Sequence, residues 1–261
     1  MANKNDNLNR KIIMELLFLG TGTSTGVPQI GCKCRVCISP DARDNRLRAS
    51  VLITDGNTRI LIDCGPDLRQ QLINNKIDYL SGILLTHEHY DHVGGLDDVR
   101  PLGETQLYAE KKVLGIIKRN MPYCFAENSY PGVPKIQLNE ITENRFFVKN
   151  QAIQPVRIMH AALPILGFRI GKIAYLTDVK TIKDKSFELL KDLDVLVINA
   201  LRASKHISHL SVEEALQMAK RIAAKQTYFT HISHDMGLHE EVDKQFPDNI
   251  HLSYDGLKLI V

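Results

Sequence analysis

No apolar run in this chain approaches the roughly 20 residues that a membrane-spanning helix needs, so a bilayer-spanning protein is not expected. The first thirteen residues, MANKNDNLNRKII, place Asn and Lys where a signal peptide carries its apolar stretch, so no export is expected either. Charge of one sign is also lacking. The 33 Lys and Arg face 30 Asp and Glu, the net charge is +3, and no block of like charges occurs. Such a balance neither supports nor excludes nucleic acid, but there is no RNA-module motif and no basic-aromatic stripe, so nucleic acid is not an expected partner. Cysteine is scarce. Five is an odd number, and three of them crowd into residues 32–37, which suits ligation better than a disulfide framework. A reducing, cytoplasmic setting follows.

Hydrophobic content of 44% and charged content of 24% are those of a globular protein, and 261 residues suffice for a sizeable core. Residues 1–13 read as a loose, flexible tail. With no repeat, low-complexity tract or linker to divide the rest, residues 14–261 read as one domain. Apolar, β-rich runs recur at LLFLG (16–20), SVLITD (50–55), RILID (59–63), GILLT (82–86), VRIMH (156–160), KIAYLTD (172–178), DVLVINA (194–200), TYFTH (227–231) and LKLIV (257–261). Asp55-Gly56-Asn57 between the second and third predicts a hairpin. Helical patterns fall at 67–75, 110–120 and 184–193. The clearest starts at Ser211, where Ser211-x-x-Glu214 forms a capping box ahead of Val212, Leu216, Ala219, Ile222 and Ala223. Hairpins together with strand–helix alternation predict a mixed α/β architecture.

GILLTHEHYDHVGGL ends an apolar strand in His87-x-His89-x-Asp91-His92. Imidazole and carboxylate suit zinc, manganese or iron, and these four side chains within six residues can serve two adjacent metals. This pattern resembles the signature of the metallo-β-lactamase superfamily, and the likeness runs from Met14 over nearly the whole chain. The resemblance implies a sandwich of two mixed β-sheets flanked by helices. It also implies three further ligands at strand ends: His160 after VRIM, Asp178 after AYLT and His231 after TYFT. His87, His89 and His160 would then hold one metal, Asp91, His92 and His231 the other, and Asp178 would bridge them. Two ions roughly 3.5–4 Å apart can share a nucleophilic hydroxide and clamp a phosphate. True β-lactamases of the superfamily place a cysteine where this chain has Asp178, and flavodiiron proteins place Glu where it has His89.

Cys32-x-Cys34-x-x-Cys37 offers three soft ligands, one short of a closed tetrahedral zinc site. Spacing alone leaves the fourth open. A Cys34/Cys37 redox pair would lack a following helix start, and an iron–sulfur cluster would want a fourth cysteine, whereas Cys64 reads as a strand-end core residue. Within the superfamily the chain looks most like the PhnP-like phosphodiesterase branch, which carries a cysteine-rich loop near its first strand. In that branch the fourth ligand is a histidine three residues past the last catalytic-site histidine. The resemblance therefore implies a structural Cys32/Cys34/Cys37/His234 zinc.

The same resemblance gives His209, just ahead of the capped helix, a role on the scissile phosphate, stabilising its charge or protonating the leaving oxygen. His206 is the competing choice. Asp91 is counted with His209 as catalytic. LGTGTSTG has no helix after it and reads as a tight turn near the site, not a nucleotide fingerprint. Asp63 is read either as bracing a ligand histidine or as a strand-end cap. His239, His251 and Cys124 default to surface or loop roles.

The function implied is a dinuclear phosphodiesterase, using Mn or Zn and possibly Fe, that opens a small cyclic phosphate diester such as 5-phosphoribosyl 1,2-cyclic phosphate. PhnP-like proteins suggest a homodimer. One alternative is a tRNA 3′-end endonuclease of the tRNase Z type. Its long forms insert an RNA-binding arm between the third-histidine and aspartate motifs, whereas here His160 and Asp178 stand only eighteen positions apart. Another is a non-catalytic PqqB-like carrier, which would be free to lose ligands; this chain keeps all seven. A thioester or lactone hydrolase would not need His209.

Overall fold

The strands β1 (Met14–Gly20), β2 (Ser50–Asp55), β3 (Thr58–Ile62), β4 (Gly82–Leu84), β5 (Glu104–Ala109) and β6 (Lys135–Glu140) form most of a first sheet. A second contains β7 (Phe146–Val148), β8 (Gln151–His160), β9 (Leu163–Ile170), β10 (Ile173–Leu176), β11 (Val195–Asn199), β12 (Gln226–Thr230) and β13 (Ile250–Leu252). The last strand, β14 (Lys258–Ile260), returns to the first sheet beside β1. This computed structural model describes residues 14–127 and 131–261, so the tail expected at 1–13 lies outside the described residues. Each seven-stranded sheet is mixed. Neighbours are antiparallel from β14 to β3 and from β7 to β10, then parallel onward to β6 and to β13.

Alternation along the strands builds three apolar layers. Leu16, Phe18, Val51, Ile53, Ile60 and Ile62 of one sheet join Phe168, Ile170, Ile173, Tyr175, Val195 and Val197 of the other in one central cluster. Their strand neighbours Leu17, Leu19, Leu52 and Leu61 pack with Leu68, Leu72, Val113 and Ile117 of the helices Leu68–Asn74 and Lys111–Asn120. Ala174, Leu176, Leu196 and Ile198 pack with Ala215, Ala219 and Ile222 of the helix Val212–Ile222. Burial on both faces is why these strands read as continuous apolar runs rather than alternating ones. Full burial of Phe18 and Phe168, each 1% exposed or less, contributes roughly 1.5–3 kcal/mol apiece. The layers are those of the expected sandwich.

The hairpin forms as expected, with Asp55 opposite Thr58 and Gly56 at φ +53°. Ser211 and Glu214 form the reciprocal capping box. One expected helix breaks. Of residues 184–193, only Asp184–Phe187 is α-helical, followed by a 3-10 turn at Glu188–Leu190, because Asp192 turns left-handed (φ 58°) to send Leu193 into the core. Five strands, β5, β6, β7, β9 and β13, lie outside the apolar runs of the sequence. β6 is polar at four of its six positions and only partly buried, and β9 contains Pro164 and Gly167, so its extended form rests on pairing with β8 rather than on propensity.

Candidate active site and metal-binding residues

The site lies where β4, β8, β10 and β12 end, outside the carboxyl ends of the strands, as α/β sheets commonly arrange. Each strand end must turn sharply to aim a side chain inward. Asp63 (φ 63°), Asp178 (φ 58°) and His231 (φ 57°) do so in the left-handed region that non-glycine residues avoid, and Ala161 (φ 51°) turns the chain after His160. After β4 the chain enters the short helix Tyr90–Val93, which carries Asp91 and His92. Close approach makes that possible. A Cβ at Gly65 would meet the Asp91 carbonyl oxygen at 2.1 Å.

All seven expected ligands converge. His87, His89, His160 and Asp178 bring one ligand atom each within 4.8 Å of one another, and so do Asp91, His92, Asp178 and His231. Asp178 belongs to both groups. In the second, His92 Nε2 lies 3.2 Å from Asp91 Oδ2 and 3.4 Å from Asp178 Oδ1, and His231 Nε2 lies 3.5 and 3.2 Å from the same two oxygens. Ligands at about 2.0–2.1 Å around a tetrahedral ion stand roughly 3.3–3.4 Å apart. In the first group His87 Nε2 is 3.7 Å from Asp178 Oδ2.

The histidines are aimed by what holds their other nitrogen. His92 Nδ1 donates to Asp63 Oδ2 at 2.7 Å, His87 Nδ1 pairs with Thr86 Oγ1 at 2.9 Å, and His160 Nδ1 donates to the Asp178 and Ser208 carbonyls at 2.9 and 3.0 Å. Each Nε2 is left free toward the cleft. The Nε2 atoms of His87, His92 and His231 are buried and lack any hydrogen-bond partner. Orphaned imidazole nitrogens beside carboxylates are a poor arrangement for an empty protein interior and a good one around a cation. The ionisable groups act on one another: burial opposes charge on His92, yet Asp178, Asp63 and Asp91 hold its imidazole well above the ordinary value. Burial favours a neutral Asp178, but His231, His92 and His87 hold its carboxyl well below the usual range. Burial likewise opposes charge on Asp91, which His92 and His231 nevertheless hold low, while burial holds His87 well below its ordinary value and so neutral. The donor set fits divalent metal ions.

Asp63 braces His92, as one of its two readings had it. Its carboxylate also accepts from Thr86 N and Oγ1. A strand-end threonine such as Thr86 carries no spacing signal in the sequence. His209 is buried beside the cluster, its ring 4.7 Å from those of His160 and His231, and its Nδ1 lies 4.0 Å from Asp178 Oδ2 without a hydrogen bond. His206 stands farther out, 5.2 Å from His209, with Nδ1 accepting from Ser208 N. The rings of His92, His231, His209 and His206 thus form a row from core to surface, at spacings of 5.8, 4.7 and 5.2 Å.

Cys32, Cys34, Cys37 and His234 form a third group within 4.8 Å, with Cys32 Sγ and Cys34 Sγ each 3.4 Å from His234 Nδ1. The Cys37 N–H, together with His234, lowers the Cys34 thiol to about 6, while burial pushes Cys37 up to about 11. Backbone N–H groups of Cys37 and Gln29 point at the sulfurs of Cys34 and Cys37. Three thiol sulfurs and one imidazole nitrogen at this spacing fit a closed zinc site. LGTGTSTG is the tight turn expected: Gly26 N bonds Thr23 O, and Thr21 and Thr23 bond Ile232 on both sides. Ile232 lies between His231 and His234. Cys64 is a fully buried core residue, as read. His239 corrects its surface assignment. It is 3% exposed, with Nδ1 accepting from Arg46 at 3.1 Å, because the helix His239–Asp243 packs over the buried Arg46. His251 bonds Gln226, and Cys124 stays half-buried beside Tyr123.

Fold and donors together define a metal-dependent hydrolase of the metallo-β-lactamase type. A beta-lactamase superfamily domain matches residues 58–232, and the chain belongs to that superfamily. Within it the chain is PhnP-like. The crystal structure of a diphosphatase from the PhnP family is 39% identical, covers 96% of this chain and 98% of its own, and superposes with a TM-score of 0.90. The Zn(2+)-bound PqqB of Methylobacterium extorquens shares the fold at 20% identity, a TM-score of 0.77 and coverage of 94% and 99%. A Porphyromonas gingivalis protein named octanoyltransferase is 47% identical over 254 residues, 95% of this chain and 52% of that protein. The chain spans about half the length, or less, of the curated relatives it matches. No helix among the described residues is long and apolar enough to cross a membrane.

Proposed function

We propose that the protein is a dinuclear metal-dependent phosphodiesterase acting on a small phosphate ester. The carrying observation is Asp178, whose carboxylate belongs to both four-residue groups and so can join two ions into one centre. Zinc or manganese, or iron, held there would act as Lewis acids on a phosphoryl oxygen and supply a water acidic enough to attack at neutral pH. His87, His89 and His160 would hold one ion, Asp91, His92 and His231 the other. The Cys32/Cys34/Cys37/His234 group would hold a structural zinc.

His209 supplies what a phosphate needs on its far side. Burial lowers its pKa to about 3, so the ring is neutral beside the cluster until an anion arrives. An anionic phosphoryl group would raise that value and let the ring pass a proton to the leaving oxygen. The rings of His160 and His231 flank that of His209, each with its centroid 4.7 Å away.

The PhnP-family neighbour, a diphosphatase, supports phosphorus chemistry. A cyclic ribosyl phosphate remains our favoured ester substrate. RNA is disfavoured by the β8–β9 hairpin, which turns tightly with His160 opposite Leu163 and has no arm. Cys64, the thiol beside Asp63, is fully buried and pushed well above its ordinary value by burial, so it offers no acyl-accepting nucleophile at this site. The acyl-transfer name belongs to a relative twice as long.

The test is turnover of bis(p-nitrophenyl) phosphate, a cyclic ribose phosphate, a nucleoside diphosphate and an octanoyl thioester by metal-free protein reloaded with Mn²⁺ or Zn²⁺. Metal-dependent cleavage of the phosphate esters supports the proposal. Turnover of the thioester alone, by protein carrying its metals, overturns it.

A further inference from the structure

Lys180 stands two residues beyond Asp178, and its Nζ donates to three oxygens: the His209 carbonyl at 3.2 Å, Glu214 Oε1 at 2.8 Å and Glu214 Oε2 at 2.9 Å. Its own backbone is tied to the ligand strand, since Lys180 N bonds the carbonyl of Met159, the residue before His160, at 2.7 Å. Glu214 is in turn the capping-box residue of the helix Val212–Ile222 and accepts from Ser211 N at 2.8 Å. One ammonium therefore joins the turn carrying Asp178, the loop carrying His209 and the start of a helix.

The loop has few other restraints near His209. Ser208 O receives His160 Nδ1, and Leu201 N bonds Leu210 O. These fix the chain on either side of His209, while the His209 carbonyl itself is held by Lys180 Nζ. Lys180 draws that carbonyl outward, which leaves the ring directed at the cluster.

We infer that Lys180 is a positioning residue for His209, with Glu214 anchoring the Lys180 ammonium. The inference rests on the proposed role of His209. Lys180 Nζ hydrogen-bonds the His209 carbonyl and the Glu214 carboxylate rather than any of the seven ligands' side chains, so the influence assigned to it here runs through the His209 backbone. Glu214→Gln separates the two duties of the carboxylate. Glutamine still completes a capping box but gives Lys180 no charged partner.

The experiment is a double-mutant cycle on the metal-loaded protein with bis(p-nitrophenyl) phosphate, using Lys180→Met, His209→Ala and both together. A displaced catalytic ring predicts a kcat loss of about 30-fold for Lys180→Met, with KM within about 3-fold and metal content unchanged. In the His209→Ala background, Lys180→Met should cost nothing further. Equal losses in both backgrounds, or no loss in either, overturn the inference. Glu214→Gln, which keeps the cap, should show a smaller kcat loss of the same kind if Lys180→Met folds poorly; an unchanged kcat overturns the inference. If the wild type cleaves no phosphate ester, the proposed function fails on its own, and the ring ¹⁵N resonances of His209 decide about Lys180. A shift in Lys180→Met with His251 unmoved supports the inference; an unmoved His209 overturns it.

Discussion

His92 Nδ1 donates to Asp63 Oδ2 across 2.7 Å, and neither side chain has any exposed surface. The bond fixes which imidazole nitrogen faces the cleft. Asp63→Asn keeps the size but offers His92 an amide that can equally donate, which favours the tautomer with its proton on Nε2. The expected result is a 10- to 100-fold loss of metal affinity, read by chelator competition. Unchanged affinity would mean that Asp63 only caps its strand.

Gly65→Ala should displace Asp91, because the added carbon would stand 2.1 Å from its backbone carbonyl oxygen, far inside contact distance. Metal analysis should show a depleted dinuclear centre, and melting should fall by several degrees, about 2–4 °C per kcal/mol lost.

His209→Ala should retain its metals and lose about 10²-fold or more in kcat, while His206→Ala should lose far less. Steady-state kinetics with metal analysis on both variants checks the assignment. A larger loss for His206 would reverse it.

Cys34→Ser should lower bound zinc by one ion per chain and reduce thermal stability by about 5 °C or more, since closed zinc sites contribute directly to folding. Full zinc content in the variant would remove that group from the list of metal sites.

His239 gives a pH dependence with a definite sign. Burial, with Arg46 beside it, lowers its pKa to about 4, below the ordinary 6.5. Above 6.5 both folded and unfolded forms are neutral there and nothing is lost. As pH falls from 6.5 to 4 the unfolded chain binds the proton first, so stability drops, by up to about 3 kcal/mol. His239→Gln should flatten this part of the profile relative to wild type in denaturant titrations.

Much of the site could be read in advance because metal ligation needs few residue types in tight spacing, and His87-x-His89-x-Asp91-His92 carries that signal alone. His160, Asp178 and His231 gained meaning only through family resemblance, since each is an isolated polar residue at a strand end. Thr86, Lys180 and the left-handed turns at Asp63, Asp178 and His231 left no trace in the sequence. Their roles arise from distances closed by sheets that join residues far apart in the chain. Likewise β5, β6 and β9 owe their form to neighbouring strands rather than to local preference.

His231 and His234 serve two different groups from one four-residue segment, and Ile232 between them is bonded on both sides to the turn at Thr21–Thr23. That spacing leaves no slack. A single codon gained or lost there would rotate one histidine away and disable both groups in one event, whereas the exposed ends of β6 could drift in length at little cost. Over evolutionary time the segment should therefore hold its length more firmly than its composition, and Ser233, whose hydroxyl caps the turn that begins at His234 by accepting from Asp235 N, should give way only to residues that can cap in its place.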